Sequence, residues 1–273
     1  MTVLNRHTLR VGDIETDAID TGSGQPLLFL HAGEGPDAVS DDYLRRLAAN
    51  FRVIAPFHPG FGSRPRPAWF RDVGDLAYFH LELADRLGLR DAVLVGASFG
   101  GWIAAEMAIR STACFSRLVL VDPFGVKAGD RESTDIADFF TLTNADWIKV
   151  AYTNPALAEQ DIASQSDKEL ANLVRGRESM AYYGWKPFMH NPQLQRWLLR
   201  IRIPTLVLRG EDDRVVVPAC HKLYADAIPG ARLQTIADAG HFPHLEQPGA
   251  FADAVLAFTQ SNAAGSKHAA RAA

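Results

Sequence analysis

The chain has 273 residues, 47% hydrophobic and 22% charged, with 28 Lys and Arg against 32 Asp and Glu and a formal net charge of −4. That length suffices for a substantial core, and the slight acidic excess argues against a nucleic-acid binder, which needs a concentrated basic surface. Cys114 and Cys220 are too few and too far apart for a disulfide framework and read as buried apolar residues.

No run approaches the roughly 20 apolar residues that span a bilayer, and Met1 to Val11 lacks an apolar segment. A cytoplasmic protein with no membrane partner is therefore expected. Two short N-terminal strands come first. From Pro26 to Asp122 strand and helix then alternate, which implies a parallel sheet. The apolar run Pro26–Leu30 ends in the loop His31-Ala32-Gly33-Glu34-Gly35-Pro36, and His58-Pro59-Gly60-Phe61-Gly62-Ser63 reads as a glycine-containing turn. Asp75 fits a helix cap. Leu76, Phe79, His80, Leu83, Ala84 and Leu87 recur at helical spacing and Gly88 fits the stop, so His80 is expected to be packed.

The run Val93-Leu94-Val95-Gly96-Ala97 stops at Ser98, and Phe99 to Arg110 continues with helical composition. Gly96 and Gly100 supply room for a strained turn that projects the serine into a cleft. The alternation breaks after the strand Arg117–Val121, ending at Asp122, and resumes at Pro204–Leu208. Between them, 125–201 is helix-rich and carries Phe139, Phe140, Trp147, Tyr152, Met180, Tyr182, Tyr183, Trp185, Phe188 and Met189. Past the second strand come Gly210, Glu211, Asp212 and Asp213, and later Gly240 precedes His241 in a loop. Ser98, Asp213 and His241 are thus candidate nucleophile, acid and base, in an order that fits one particular fold. The tail at 263–273 is expected to be frayed.

On these residues the chain resembles the α/β-hydrolase fold superfamily from about Val11 to Phe258, as a serine hydrolase with a helical cap. The resemblance implies a mostly parallel central sheet flanked by helices, with a core at 1–124 and 202–262 and a cap at 125–201 inserted after the sixth strand. It places the acid three residues after Gly210, favouring Asp213 over Asp212, with Asp122 the alternative. His244 replaces His241 only by a loop shift. Gly33 and Phe99 become the two N–H donors of an oxyanion hole, with Ala32 in place of the usual first glycine. Glu34 sits awkwardly beside that hole, since a carboxylate would oppose the developing charge. A side chain turned to solvent is expected there.

The cap would supply an apolar pocket. Glu34, Trp102, Phe139, Trp185 and Phe242 are its candidate lining residues, with Trp102 and Trp185 foremost, and His190 is read as a capped or surface histidine. A serine at the turn argues against the dehalogenases and epoxide hydrolases of this fold, which use aspartate. The expected activity is carboxylesterase-like cleavage of small apolar or aromatic esters through an acyl-enzyme on Ser98, with water as second substrate and no metal or cofactor. Two enzymatic alternatives stand, a lactonase and a carbon–carbon bond hydrolase, although no basic cluster for dianionic substrates is visible in the sequence. A ligand receptor with a retained triad and little turnover is the alternative of another class. A homodimer stays open.

Overall fold

The apolar runs become the strands of one eight-stranded sheet. The computed structural model describes residues 4–36, 40–158 and 165–261; the expected tail at 263–273 lies outside the described residues. The strands are β1 (Asn5–Val11), β2 (Ile14–Gly22), β3 (Pro26–Leu30), β4 (Arg52–Pro56), β5 (Ala92–Ala97), β6 (Phe115–Val121), β7 (Thr205–Gly210) and β8 (Arg232–Ile236). Their order is β1-β2-β4-β3-β5-β6-β7-β8. Pairs β1–β2 and β2–β4 are antiparallel and all others parallel. Central β5 is buried at every residue, which is why its sequence is continuously apolar rather than alternating. Edge strand β8 exposes Arg232 to Thr235.

The helices of the described residues are α1 (Asp42–Ala48), α2 (Val73–Arg86), α3 (Phe99–Arg110), α4 (Asn144–Ala151), α5 (Asp167–Gly184), α6 (Leu194–Trp197), α7 (Pro218–Ala227), α8 (Pro243–Glu246) and α9 (Pro248–Gln260). None is long and apolar enough to cross a membrane. The cap of α2 differs from expectation. Asp72, in extended backbone, accepts from the N–H groups of Gly74 (2.7 Å) and Asp75 (3.3 Å), while Asp75 reaches back to the Arg71 N–H at 2.6 Å. The stop at Gly88 holds: with φ +63° it allows the Leu89 N–H to bond the Ala84 carbonyl at 3.0 Å.

Helices α4, α5 and α6 lie in the insert between β6 and β7. It is tied down at several points. Ser179 and Tyr183 of α5 donate to the carbonyls of Gly60 (2.7 Å) and Pro59 (3.0 Å), on the turn after β4. Asn191 donates at 2.7 Å to Glu106, a buried acid on α3 that also pairs with Arg110.

The site is positioned by the junction of β5 and α3. Ser98 stands there at φ 52°, ψ −114°, a backbone that L-residues adopt only when surrounding structure over-determines it. A Cβ on Gly100 would fall 2.2 Å from the Leu30 carbonyl oxygen, so α3 starts with its backbone pressed on the end of β3. Gly88 has open space around it but a left-handed φ. Gly88→Ala should therefore cost about 1 kcal/mol of stability, and Gly100→Ala at least about 3 kcal/mol, because backbone must move. Urea unfolding of both variants measures the difference, and equal losses would contradict close packing at the junction.

Candidate active site

The fold brings Ser98, His241 and Asp213 together from three separate strand ends. Ser98 Oγ lies 2.8 Å from His241 Nε2, and His241 Nδ1 lies 3.2 Å from both Asp213 oxygens. All three side chains are buried. Asp213 Oδ1 also accepts from the N–H groups of Val215 (2.8 Å) and Val216 (3.1 Å). Burial opposes its charge, yet the charge of His241 and the hydrogen bonds of His221 and His241 hold it well below the usual carboxylate range. His241 moves the other way: burial works against the imidazolium, but the Asp213 carboxylate outweighs it and raises the pKa.

Asp122, the alternative acid, is fully buried behind this group. Its carboxylate accepts from the Gly210 N–H at 3.1 Å and lies 2.9 Å from His221 Nε2, which is itself 3.5 Å from Asp213 Oδ2. Burial first, then the charge on Asp213, pushes Asp122 up. The carboxyl against His241 is thus the ionised one. Asp122, Asp213 and His221 could in principle hold a metal ion, being within 4.8 Å of one another, but all three are engaged in the contacts just described.

Phe99 opens α3, so its N–H belongs to the first turn and has no intrahelical acceptor. The loop bearing Gly33 is fixed by three buried histidines. The His58 backbone N–H donates to His31 Nε2 at 3.0 Å, so His31 carries its proton on Nδ1, facing the Ala32 carbonyl. His58 Nε2 donates to the His31 carbonyl at 2.9 Å, which leaves His58 Nδ1 to accept from His80 Nε2 at 2.9 Å. His80 is packed, as its spacing suggested, and forms the anchor of this chain.

A cavity of about 640 Å³ opens at this loop, lined by Gly33, Glu34, Phe61, Phe139, Trp147 and Met180 among others. A Cβ at Gly33 would come within 2.7 Å of Met180 Sδ, so α5 covers the loop closely. Glu34 does not turn to solvent: its Oε2 is sealed, and burial pushes its pKa up against the pull of its own backbone N–H, His241 and Arg177. Trp102, Trp185 and Phe242 lie elsewhere than the lining. Trp102 is buried and donates to Glu106 at 3.2 Å. Trp185 is 55% exposed and packs on Phe140 and Phe188, because it falls at the C-cap of α5 on the outer side. Phe242 is buried against His241, Trp147 and Tyr152. His190 is half-buried, with its Nδ1 2.9 Å from the Phe188 carbonyl.

Two functional features have no local signature. The fold gathers Arg6, Lys168 and Arg177 around this cavity, although nothing in the sequence clusters them. Glu246 grips the loop of His241: its Oε1 accepts from the Gly240 N–H and its Oε2 from the Thr153 N–H, both at 2.7 Å. The Ala151 carbonyl accepts from the His241 N–H at 2.8 Å, so the insert helps to set the histidine's position. The pair Asn154 and Glu246, far apart in sequence, meets only in the fold.

The histidine chain predicts how the fold responds to acid. Burial lowers His31 to about 4 and His80 to about 3, and lowers His58 as well. Against an unfolded value of about 6.5, the unfolded chain binds more protons below that pH, so stability is present above about 6.5 and falls as pH drops toward 4. Each such group costs about 1.4 kcal/mol per pH unit within its window. Urea unfolding at about pH 7 and pH 4.5 should show a smaller acid loss for His80→Gln than for the wild type. Parallel losses would sink the assignment of neutral histidines.

Residues 27–254 match the model of the alpha/beta hydrolase family. Over 92% of each chain the sequence is 32% identical to a 2-hydroxymuconate semialdehyde hydrolase of a Pseudomonas species. It is 30% identical to a 2-hydroxy-6-oxo-2,4-heptadienoate hydrolase of Pseudomonas putida, covering 86% of this chain and 89% of that one. Among solved structures, a serine hydrolase from the polyaromatic-hydrocarbon-degrading Cycloclasticus zankles superposes with a TM-score of 0.79 at 20% identity, covering 94% of this chain and 98% of that one. The chain is a hydrolase that belongs to the alpha/beta hydrolase family.

Proposed function

We propose that this chain hydrolyses a carbon–carbon bond beside a ketone in an unsaturated 2-hydroxy-6-oxo acid, in place of the ester favoured by the sequence reading. The observation that carries the proposal is similarity over nearly the whole chain to two relatives named for that substrate class. The cavity is compatible with such a substrate. Phe139, Trp147 and Ile148 offer an apolar wall, and Arg177, Arg6 and Lys168 line the same space, where a carboxylate needs a cation.

In this reading neutral His241 takes the Ser98 proton as Oγ attacks the ketone, while ionised Asp213 fixes the imidazole tautomer and stabilises its charged form. The N–H groups of Gly33 and Phe99 hold the oxyanion, each donor contributing on the order of 3 kcal/mol in studied enzymes. Collapse breaks the carbon–carbon bond. This requires the 2-hydroxy proton first to move to C5, giving the 2-oxo-3-ene tautomer, so that the electron pair left on C5 delocalises through the double bond onto the 2-oxo group and the resulting dienolate takes the proton from His241. Ser98 is left acylated, and water, activated by His241, repeats the attack to release the carboxylic acid. The insert at 125–201 acts as a lid over the site, a reading supported by Met180 of α5 pressed on Gly33 and by the Ala151 carbonyl bonded to the His241 N–H.

The test is turnover of 2-hydroxy-6-oxo-2,4-heptadienoate against 4-nitrophenyl acetate by the wild type and by Ser98→Ala. The dienoate should be preferred in kcat/KM by about 100-fold or more, and Ser98→Ala should lose at least about 1,000-fold on it while melting normally. A preference for the ester would return the enzyme to the esterases. Tight dienoate binding without turnover would make the protein a receptor.

A further inference from the structure

Glu34 is a titratable group of the cavity that this mechanism leaves without a task. It follows Gly33 directly, lines the cavity, and its sealed Oε2 has no hydrogen-bond partner among the described residues. An unpaired buried polar atom is costly, and at a substrate cavity a ligand atom can satisfy it.

Side chains from several elements face Glu34. His241, from the loop ahead of α8, and Arg177, on α5, act on it as cations. Tyr43 of α1 and Tyr152, just beyond α4, feel its charge in turn. Farther along the cavity, Arg6 and Lys168 are accompanied by Asp17 and Glu169. The attack requires neutral His241, so one of the two near cations is absent at the moment Ser98 reacts, and burial then favours the protonated carboxyl further. An ionised Glu34 would place negative charge beside the Gly33 N–H, opposing the oxyanion. A protonated Glu34 instead offers a free O–H.

Resting on the reading of Ser98 as nucleophile, we propose that Glu34 works as a neutral carboxylic acid, donating its O–H to an acceptor oxygen of the bound substrate, and that loss of this proton shuts the site. The role is one that simple triad chemistry does not require. It makes alkaline inactivation a property of Glu34, whereas acid inactivation belongs to His241.

The experiment is the rate of Ser98 labelling by an alkyl fluorophosphonate, measured from about pH 5 to about pH 10 on the wild type, Glu34→Gln and Glu34→Ala. In that reaction the Oγ–phosphorus bond forms, fluoride leaves and the Ser98 proton passes to His241, while the phosphoryl oxygen takes the oxyanion position. The wild-type rate should rise, pass a maximum and fall on the alkaline side. Glu34→Gln keeps a neutral donor and should hold its rate where the wild type falls. Glu34→Ala should lose the alkaline fall too, and run about five- to tenfold below Glu34→Gln, the effect of one missing hydrogen bond. An alkaline fall of equal size in all three proteins, no fall in the wild type, or equal rates for the two variants would overturn the proposal. If Ser98 is labelled with the expected profiles but the dienoate is not turned over, the carbon–carbon reading fails and the role of Glu34 stands. Absence of label on wild-type Ser98 removes both.

Discussion

Everything at this site depends on the contact between the first turn of α3 and the end of β3. Gly100 lies so close to the carbonyls of Leu30 and His31 that no side chain fits between them. That contact keeps Ser98 in its unfavourable backbone conformation, which costs on the order of 1–3 kcal/mol and persists only where packing over-determines it. The same contact puts the first N–H of α3 beside the loop that carries Gly33. A nucleophile and two potential oxyanion donors are thus set by one backbone approach, before any side chain is considered.

The polar groups behind that contact are arranged so that few charges are free to move. His31, His58 and His80 form a chain with only one consistent set of tautomers, each ring held neutral by burial. A neutral chain adds no net charge beside the loop after β3, yet it ties that loop to the turn after β4 and to α2. On the other side, Glu246 and the Ala151 carbonyl fix the loop of His241 to the insert. These hydrogen bonds to backbone join the insert to the loop that carries His241.

Ser98, Asp213 and His241 were legible in the sequence because each follows a strand within a few residues, and a strand's end is a local pattern of apolar residues and glycine. The packed state of His80 was legible for the same reason, from helical spacing. Trp185 was not: its position just past α5 depends on which side of the helix meets the core, and ten aromatic and methionine residues in the insert compete for that side. Trp102 reads as a pocket residue, but four residues past Ser98 on α3 it turns toward Glu106 instead. The orientation of Glu34 and the gathering of Arg6, Lys168 and Arg177 depend on the placement of β1 and α5 against the loop. Such contacts between distant segments leave no periodic trace in the chain.

The pair Asp122 and Asp213 shows how environment, rather than residue type, sets which carboxyl carries the charge. Asp122 and Asp213 both end strands, and both lie near His221, at 2.9 Å and 3.5 Å. Two buried carboxylates at this separation are not both ionised at little cost. Asp213 accepts two backbone N–H groups and faces His241, whereas Asp122 accepts only the N–H of Gly210 from the backbone. The better-solvated anion keeps the charge, while burial and the charge on Asp213 raise Asp122, and the two carboxylates raise His221 against the pull of burial. A proton held on Asp122 leaves Asp213 as the ionised carboxylate that faces His241. A second negative charge there would raise His241 further and keep it protonated, so a neutral Asp122 favours the neutral imidazole that the proposed mechanism needs.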